Sequence, residues 1–395
     1  MRQQTFFFKK FLNAKGNWIP LILLVASVLF VLIMNVMTEK EHDLAAVSEE
    51  NILLNQEGVK FNENQANNQS LTQEDQENLK ETEKFAQQQI KQYQQIKELY
   101  ASGKWSEAYQ LKLKELEFSL QIEKEAPTGR GDELKRLFNR DILKYQELQK
   151  LNIKEELDNQ ETQGFTYLYR VLKSFFPILF LVVLCFSLTT VFTDRFFLDL
   201  DRSKLYPGST LFKTFERIVF AFMLAFIIYG VVIILAFLSA SLLSGWGTLQ
   251  YPMVVEIGEK TVLFTVGSLL WKTILLQLLA MAVVVLMIDL ISKLVKKLMP
   301  TLFISLVVLI APPLLIGKVE FFNQVATFLP QTYFNAGQVV TQTLAESCRN
   351  PNITFLNGII VLLLCVIILG LLACCMDRKG GENNSFSKED TRSQK

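Results

Sequence analysis

Six stretches of this chain are long and nearly free of charge: residues 18–37, 175–193, 218–243, 273–291, 299–317 and 356–376. Crossing a hydrocarbon core as a helix takes roughly 20 residues at about 1.5 Å rise each, and every one of these runs comes close to that length or exceeds it. In lipid the backbone polar groups must be paired within the segment, so a helix is the expected form. A single run of this kind fits a buried soluble helix, but six with charged flanks do not. The sequence therefore predicts an all-α polytopic membrane protein with six transmembrane helices. Composition agrees, since 50% of the residues are hydrophobic while 20% are charged. Apolar and polar material must lie in separate blocks.

The first run, "WIPLILLVASVLFVLIMNVMTEKEH", has no small-x-small cleavage site and is expected to be a retained anchor rather than a secretory signal. The polar block after it, residues 38–173, holds 26 acidic and 19 basic residues, a local charge of −7. With +1 overall, the rest of the chain carries +8. That excess sits beside the apolar runs rather than on a compact basic domain, which argues against nucleic-acid binding. Basic residues cluster at Arg2, Lys9, Lys10 and Lys15, at Arg195, Arg202, Lys204, Lys213 and Arg217, at Lys293, Lys296 and Lys297, and at Arg378 and Lys379. The opposite short loops offer only Lys260, Lys272, Lys318 and Arg349. By the positive-inside rule both termini are cytoplasmic and the acidic block is extracytoplasmic.

The expected organisation is a cytoplasmic segment at 1–17, the first span at 18–37, an extracytoplasmic helical domain at 38–173, and spans two to six within 174–377. A cytoplasmic loop lies at 194–217, an outer segment at 318–354 and a cytoplasmic tail at 378–395. Lys272 would be costly inside lipid, so the fourth span is expected to start near Thr273, with 245–271 as a partly membrane-embedded outer segment. Asp289 then falls near the inner end of that span, four residues before Lys293. It is either a paired interfacial residue or a transport residue.

Within the acidic block, "LTQEDQENLKETEKFAQQQIKQYQQIKELY" and "SGKWSEAYQLKLKELEFSLQIEKE" carry apolar residues at helical spacing, with a break at 102–104. A third helix is expected over 132–157, and the Asn/Gln/Glu-rich stretch 51–70 reads as a mobile connection. This predicts a small helical domain, which serves either as a substrate or partner contact or as packing alone. Chemical motifs are missing. The sequence has no G-x-x-x-x-G-K-[ST], H-E-x-x-H or G-x-S-x-G, and one His with five scattered Cys offers no metal site. No cofactor is expected in this chain. Energy for active transport would have to come from a partner subunit or an ion gradient.

This architecture resembles the membrane subunit of bacterial type-2 ABC exporters, in particular permeases with a large external domain between the first two spans. These occur among drug, bacteriocin, antimicrobial-peptide and sodium exporters. "RQQTFFFKKFLNAKGNW" (2–18) looks like the family's amphipathic interface helix, with Phe7, Phe8, Phe11 and Leu12 on its apolar side. In "TDRFFLDLDRSKLYPGSTLFKTFER" (193–217), Asp194–Arg195 matches the acidic–Arg pair that opens the family's cytoplasmic helix, and "KLYPGST" supplies the turn into span three. Asp stands for the commoner Glu, and the usual following Gly is missing.

The resemblance implies a cytoplasmic ATP-binding subunit that carries ATP and Mg, a second permease copy or homologue, and a bacterial cell membrane. It makes Asp194, Arg195, Phe196, Phe197, Asp199, Asp201 and Arg202 the candidates for contact with that subunit. Phe196 and Phe197 would supply apolar docking surface, and Asp199, Asp201 and Arg202 charged register. In "FLPQTYFNAGQVVTQTLAE" (328–346), which resembles the family's re-entrant outer helices, Phe328, Leu329, Tyr333 and Phe334 are the candidates for an outer gate, or equally for a fixed aromatic belt. The function so implied is an ATP-driven exporter permease for an antimicrobial peptide, bacteriocin, drug or other amphipathic substrate. The alternatives are a sodium exporter permease and a non-transporting sensor or envelope assembly protein.

Overall fold

A computed structural model describes residues 15–66, 72–125, 131–197, 200–201, 209–258 and 260–390. Most of the 1–17 segment thus lies outside the described residues. The chain is all-α apart from two small hairpins, and six of its helices are long and apolar enough to cross a membrane. They are α1 (Lys15–His42), α7 (Phe176–Thr193), α8 (Thr210–Ser244), α9 (Val266–Val295), α10 (Leu298–Leu315) and α14 (Phe355–Asp390). Between α1 and α7 run α2 (Leu44–Ala66), α3 (Gln73–Ala101), α4 (Trp105–Glu125), α5 (Gly131–Leu151) and α6 (Gly164–Lys173). The chain divides into two compact units. One comprises residues 1–31, 167–246 and 267–395, the other residues 32–166 and 247–266.

In the first unit α7 is the most enclosed span and α14 the least. Along α14, Ile360, Leu364, Ile367, Ile368 and Leu371 are exposed, an outward apolar face suited to lipid. α7 packs against α10 and α8, and α14 lies beside α8. Phe176 and Phe180 stack with centroids 5.0 Å apart, and both rings meet Tyr229 of α8. The Tyr229 hydroxyl donates to Gln277 Oε1 at 2.7 Å, and Gln277 Nε2 donates to the Leu172 carbonyl at 2.9 Å. This buried polar chain ties α8 and α9 to the end of α6, where each unmade bond would cost about 1–3 kcal/mol. Near the chain start, the Thr190 hydroxyl donates to Asn17 Oδ1 at 3.2 Å.

Spans four and five are joined by two residues. Lys296 takes a left-handed φ of 61° and Lys297 is extended, with Lys296 N–H closing on Ser292 O and Lys297 O receiving Thr301 N–H. Between spans five and six, residues 320–347 form short pieces rather than one helix. These are α11 (Glu320–Val325), a 3-10 turn (Pro330–Phe334), α12 (Ala336–Val340) and α13 (Thr343–Ser347). Two glycines admit this segment. A Cβ on Gly337 would lie 2.6 Å from Lys173 Cα, and one on Gly358 would lie 2.6 Å from Tyr333 Cδ1 and 2.9 Å from Leu276 Cδ2.

In the second unit α2 packs on α3, α3 on α4, and α4 on α5. Tyr93, Ile96, Tyr100, Tyr109, Leu113, Leu116, Tyr145 and Leu148 form its core. A Thr72–Asp75 capping box starts α3, and Gly103 (φ 77°) ends the break that the "SGK" stretch predicts. Sequence expectation and structure part at four places here. Residues 51–66 are helical in α2 rather than a mobile connection, because packing on α3 outweighs their polar composition; 67–70 lie outside the described residues. The third helix stops at Leu151 and not at 157. Asn152 turns left-handed (φ 49°), and its Oδ1 accepts the Ser106 N–H at the start of α4.

Within the 245–271 segment expected to be partly embedded in the membrane, residues 252–265 form an antiparallel hairpin, β3 (Pro252–Ile257) with β4 (Lys260–Thr265), packed on α5. Its Val and Thr residues favour strand, and Gly258 (φ 62°) serves the turn. The fourth span consequently starts at Val266, seven residues before the expected Thr273. Lys272 sits half-buried in its second turn, near the Phe355 ring.

A carboxylate closes the second unit's last loop. Glu156 is buried and accepts from Thr162 N–H at 2.7 Å, Gln163 N–H at 3.0 Å and the Thr166 hydroxyl at 2.8 Å. Burial raises its pKa above the ordinary value. The hydroxyl of Tyr251, just before β3, accepts the Glu156 N–H at 2.8 Å. Nearby, buried Lys144 lies 3.0 Å from Glu155 and 3.3 Å from Asp158, and these carboxylates hold its pKa high against the opposing effect of burial.

Candidate functional site

Charge is buried at the end of the first unit where α7 ends, α8 begins and α9 and α14 run out of apolar sequence. Asp194 ends α7, and Arg195 follows with a side chain 4% exposed. The expected helix opening is replaced by a two-residue ladder, β1 (Phe196–Phe197) with β2 (Leu200–Asp201), pairing Phe196 with Asp201. The aromatic pair favours extended backbone. The Arg195 guanidinium lies over the Phe196 ring, 4.5 Å from its centroid. Arg195 Nη2 stands 3.8 Å from Asp289 Oδ1, and Arg195 Nε stands 4.0 Å from Asp201 Oδ2. These spacings are too long for direct hydrogen bonds, so Arg195 is held by charge more than by directed bonding.

Asp289 is the meeting point. Its side chain is 1% exposed, and its other oxygen lies 2.8 Å from Lys293 Nζ one turn on. The same ammonium reaches Asp377 Oδ2 of α14 at 2.9 Å and donates to the Ala373 carbonyl at 3.1 Å. Lys293 thus makes hydrogen bonds to span six and a close charge contact to Asp289. Ser292 Oγ donates to the Asp289 carbonyl. Arg217, early in α8, is buried as well and feels the charges of Arg195, Asp201, Asp289 and Asp377. Among the described residues, three cations, Arg195, Arg217 and Lys293, thus lie near three anions, Asp201, Asp289 and Asp377. Proximity matters because an unpaired buried charge costs several kcal/mol, whereas a paired one roughly offsets its desolvation.

The seven residues chosen from sequence for partner contact divide. Arg195 points into the bundle, Asp201 joins it there, Asp194 is half-buried, and Phe196 lies under the guanidinium. Phe197 lies on the ladder, while Asp199 and Arg202 fall outside the described residues. Asp289 and Lys293 are indeed paired at i,i+4, but the pair is buried and shared rather than interfacial. Sequence reasoning missed Asp377 and the burial of Arg217. The available signal was that Asp377 ends the sixth apolar run on the side where Lys293 ends the fourth.

The four gate candidates also divide. Phe328 is 79% exposed and Leu329 half-buried, whereas Tyr333 and Phe334 are buried. The Tyr333 hydroxyl donates to the Thr327 carbonyl at 2.9 Å, and burial pushes its phenol up to about 12. Phe334 faces a cavity of about 20 Å³ with Phe176, Phe180, Gln277 and Met281. That volume suits roughly one water.

Among the described residues no cluster of His, Cys, Asp and Glu is arranged to hold a metal ion. The contacts at the site attach one loop electrostatically to spans four and six. No protein-family model matches the chain, and no curated protein or solved structure matches it.

Proposed function

We propose that this chain is the transmembrane permease subunit of an ATP-driven ABC-type exporter. Six spans with a helical domain between the first two support the reading, as does the likeness of the 193–217 stretch to the family's coupling loop. The observation that carries it is the anchoring of that loop. Arg195 is drawn toward Asp289 of span four, and Lys293 continues the contact to Asp377 of span six. A loop that receives force from a partner must be braced in the membrane, and a merely connecting loop has no need of buried charge.

In this reading both termini and the 194–217 loop face the cytoplasm, where a nucleotide-binding subunit holding ATP and Mg docks. The 38–173 domain lies outside. A second permease copy or homologue completes the pathway, and the cargo is an amphipathic molecule such as an antimicrobial peptide, bacteriocin or drug. Purification of the full chain with a nucleotide-binding subunit should yield a complex whose ATP hydrolysis drives substrate movement in proteoliposomes. Flux that follows a sodium gradient without any ATPase, or stable binding to an envelope partner with no flux, would refute it.

A further inference from the structure

We propose that Asp289 is a positioning residue that clasps the elbow formed by residues 194–197 and 200–201 to spans four and six, so that elbow motion reaches those spans only while its carboxylate is in place. The inference deepens the permease reading and, for its effect on transport, rests on it.

The geometry carries it. Asp289 uses its two oxygens in two directions, one toward Arg195 on the elbow and the other toward Lys293. Lys293 passes the link to span six through both the Asp377 carboxylate and the Ala373 carbonyl. Among the described ion pairs, Arg195 without Asp289 keeps the one to Asp201, which belongs to its own hairpin. The described ion pair that leaves the elbow for another span would then be gone. An ordinary i,i+4 pair on a helix surface is worth a few tenths of a kcal/mol and positions nothing. Here the side chains of Arg195, Asp289, Lys293 and Asp377 are 4%, 1%, 5% and 8% exposed, so each loses most of its hydration and depends on the others.

The arrangement is also easy to release. Contacts of 3.8 and 4.0 Å lack directed hydrogen bonds, so Arg195 can slide without breaking a fixed geometry. The Lys293 end is tight, at 2.8 and 2.9 Å. The cluster therefore has a firm side, spans four and six, and a compliant side, the elbow.

The test uses the full chain in lipid nanodiscs, with spin labels at Ser209→Cys and native Cys374 and the other cysteines changed to Ser. With Asp289 present the label distance should form one narrow distribution; Asp289→Asn should broaden or split it. The exchange Asp289→Lys with Lys293→Asp supplies a second variant. It preserves an i,i+4 pair but sets Lys against Arg195 and Asp against Asp377, so it should broaden the distribution as well. Unchanged distributions in both variants would overturn the proposal. With a nucleotide-binding subunit bound, Asp289→Asn should lower substrate moved per ATP hydrolysed by about tenfold while ATP hydrolysis stays within about twofold. A parallel fall of both rates would mark a structural role only and overturn it too. If no ATPase couples to the unaltered chain, the permease reading fails, and the distance measurement still decides the clasp.

Discussion

Gly358 tests how the segment between spans five and six is seated. Adding one methyl there, Gly358→Ala, places a Cβ 2.6 Å from Tyr333 Cδ1 and 2.9 Å from Leu276 Cδ2, well inside van der Waals contact. Tyr333 cannot withdraw freely, since it is fully buried and its hydroxyl is tied to the Thr327 carbonyl. Overpacking of this kind costs about 1–3 kcal/mol. Against it stands the helix-propensity gain of Ala over Gly, about 1 kcal/mol. The net expectation is destabilisation by about 0–2 kcal/mol, centred near 1, the difference of those two terms.

Gly370, on the same helix, provides the control. A Cβ there meets nothing within 4 Å, so Gly370→Ala should show the propensity gain alone. Thermal unfolding of the detergent-solubilised full chain, followed by monodisperse peak height, should rank Gly370→Ala above the unaltered chain and Gly358→Ala below it. Shrinking the nearer obstacle with Tyr333→Leu should then reduce the cost of Gly358→Ala in that background, with the Leu276 approach remaining. A Gly358→Ala chain as stable as Gly370→Ala would refute the seating argument.

Three further outcomes follow from other sites. Burial raises the folded-state pKa of Glu156 above its ordinary 4.5, so its share of stability is full below about pH 4.5 and is lost as pH climbs through the raised value. Hydrogen exchange of residues 152–166 should lose that pH slope in Glu156→Gln, and an identical slope would count against it. Lys144→Met should destabilise the second unit by about 3 kcal/mol because it leaves the largely enclosed Glu155 carboxylate with only the Tyr145 hydroxyl among its described side-chain partners, and adding Glu155→Leu should restore much of the loss in urea unfolding. For orientation, a membrane-impermeant maleimide on intact cells should label Lys104→Cys but not Glu382→Cys; the reverse pattern would invert the topology.

Lipid makes part of this fold readable in advance, because a span has a required length and a required absence of charge. All six runs became helices for that reason. The α3–α4 pair was readable because its apolar positions recur at helical spacing and Gly103 marks the break. Composition misled at α2, where Asn, Gln and Glu suggest a loop but packing on α3 supports a helix. It misled again at 252–265, where a short apolar run fits membrane and strand alike. The charge cluster was half legible. Asp289 and Lys293 are four residues apart, but Arg195 and Asp377 join them only through the tertiary fold. Burial of Tyr333 beside exposed Phe328 depended likewise on a close approach at Gly358 that no local pattern records.

The Lys296–Lys297 turn has a mechanical consequence. A chain segment spans at most about 3.6 Å per residue, so the link from Val295 to Leu298 can reach no more than about 11 Å. Span four cannot slide along its axis by more than about two helical turns without dragging span five behind it. α10 is also the helix on which α7 packs. A pull applied at Asp289 would thus be delivered to three helices by chain length and steric contact, with no further charge required. The two lysines that report topology in the sequence are, in the folded chain, the shortest tether in the bundle.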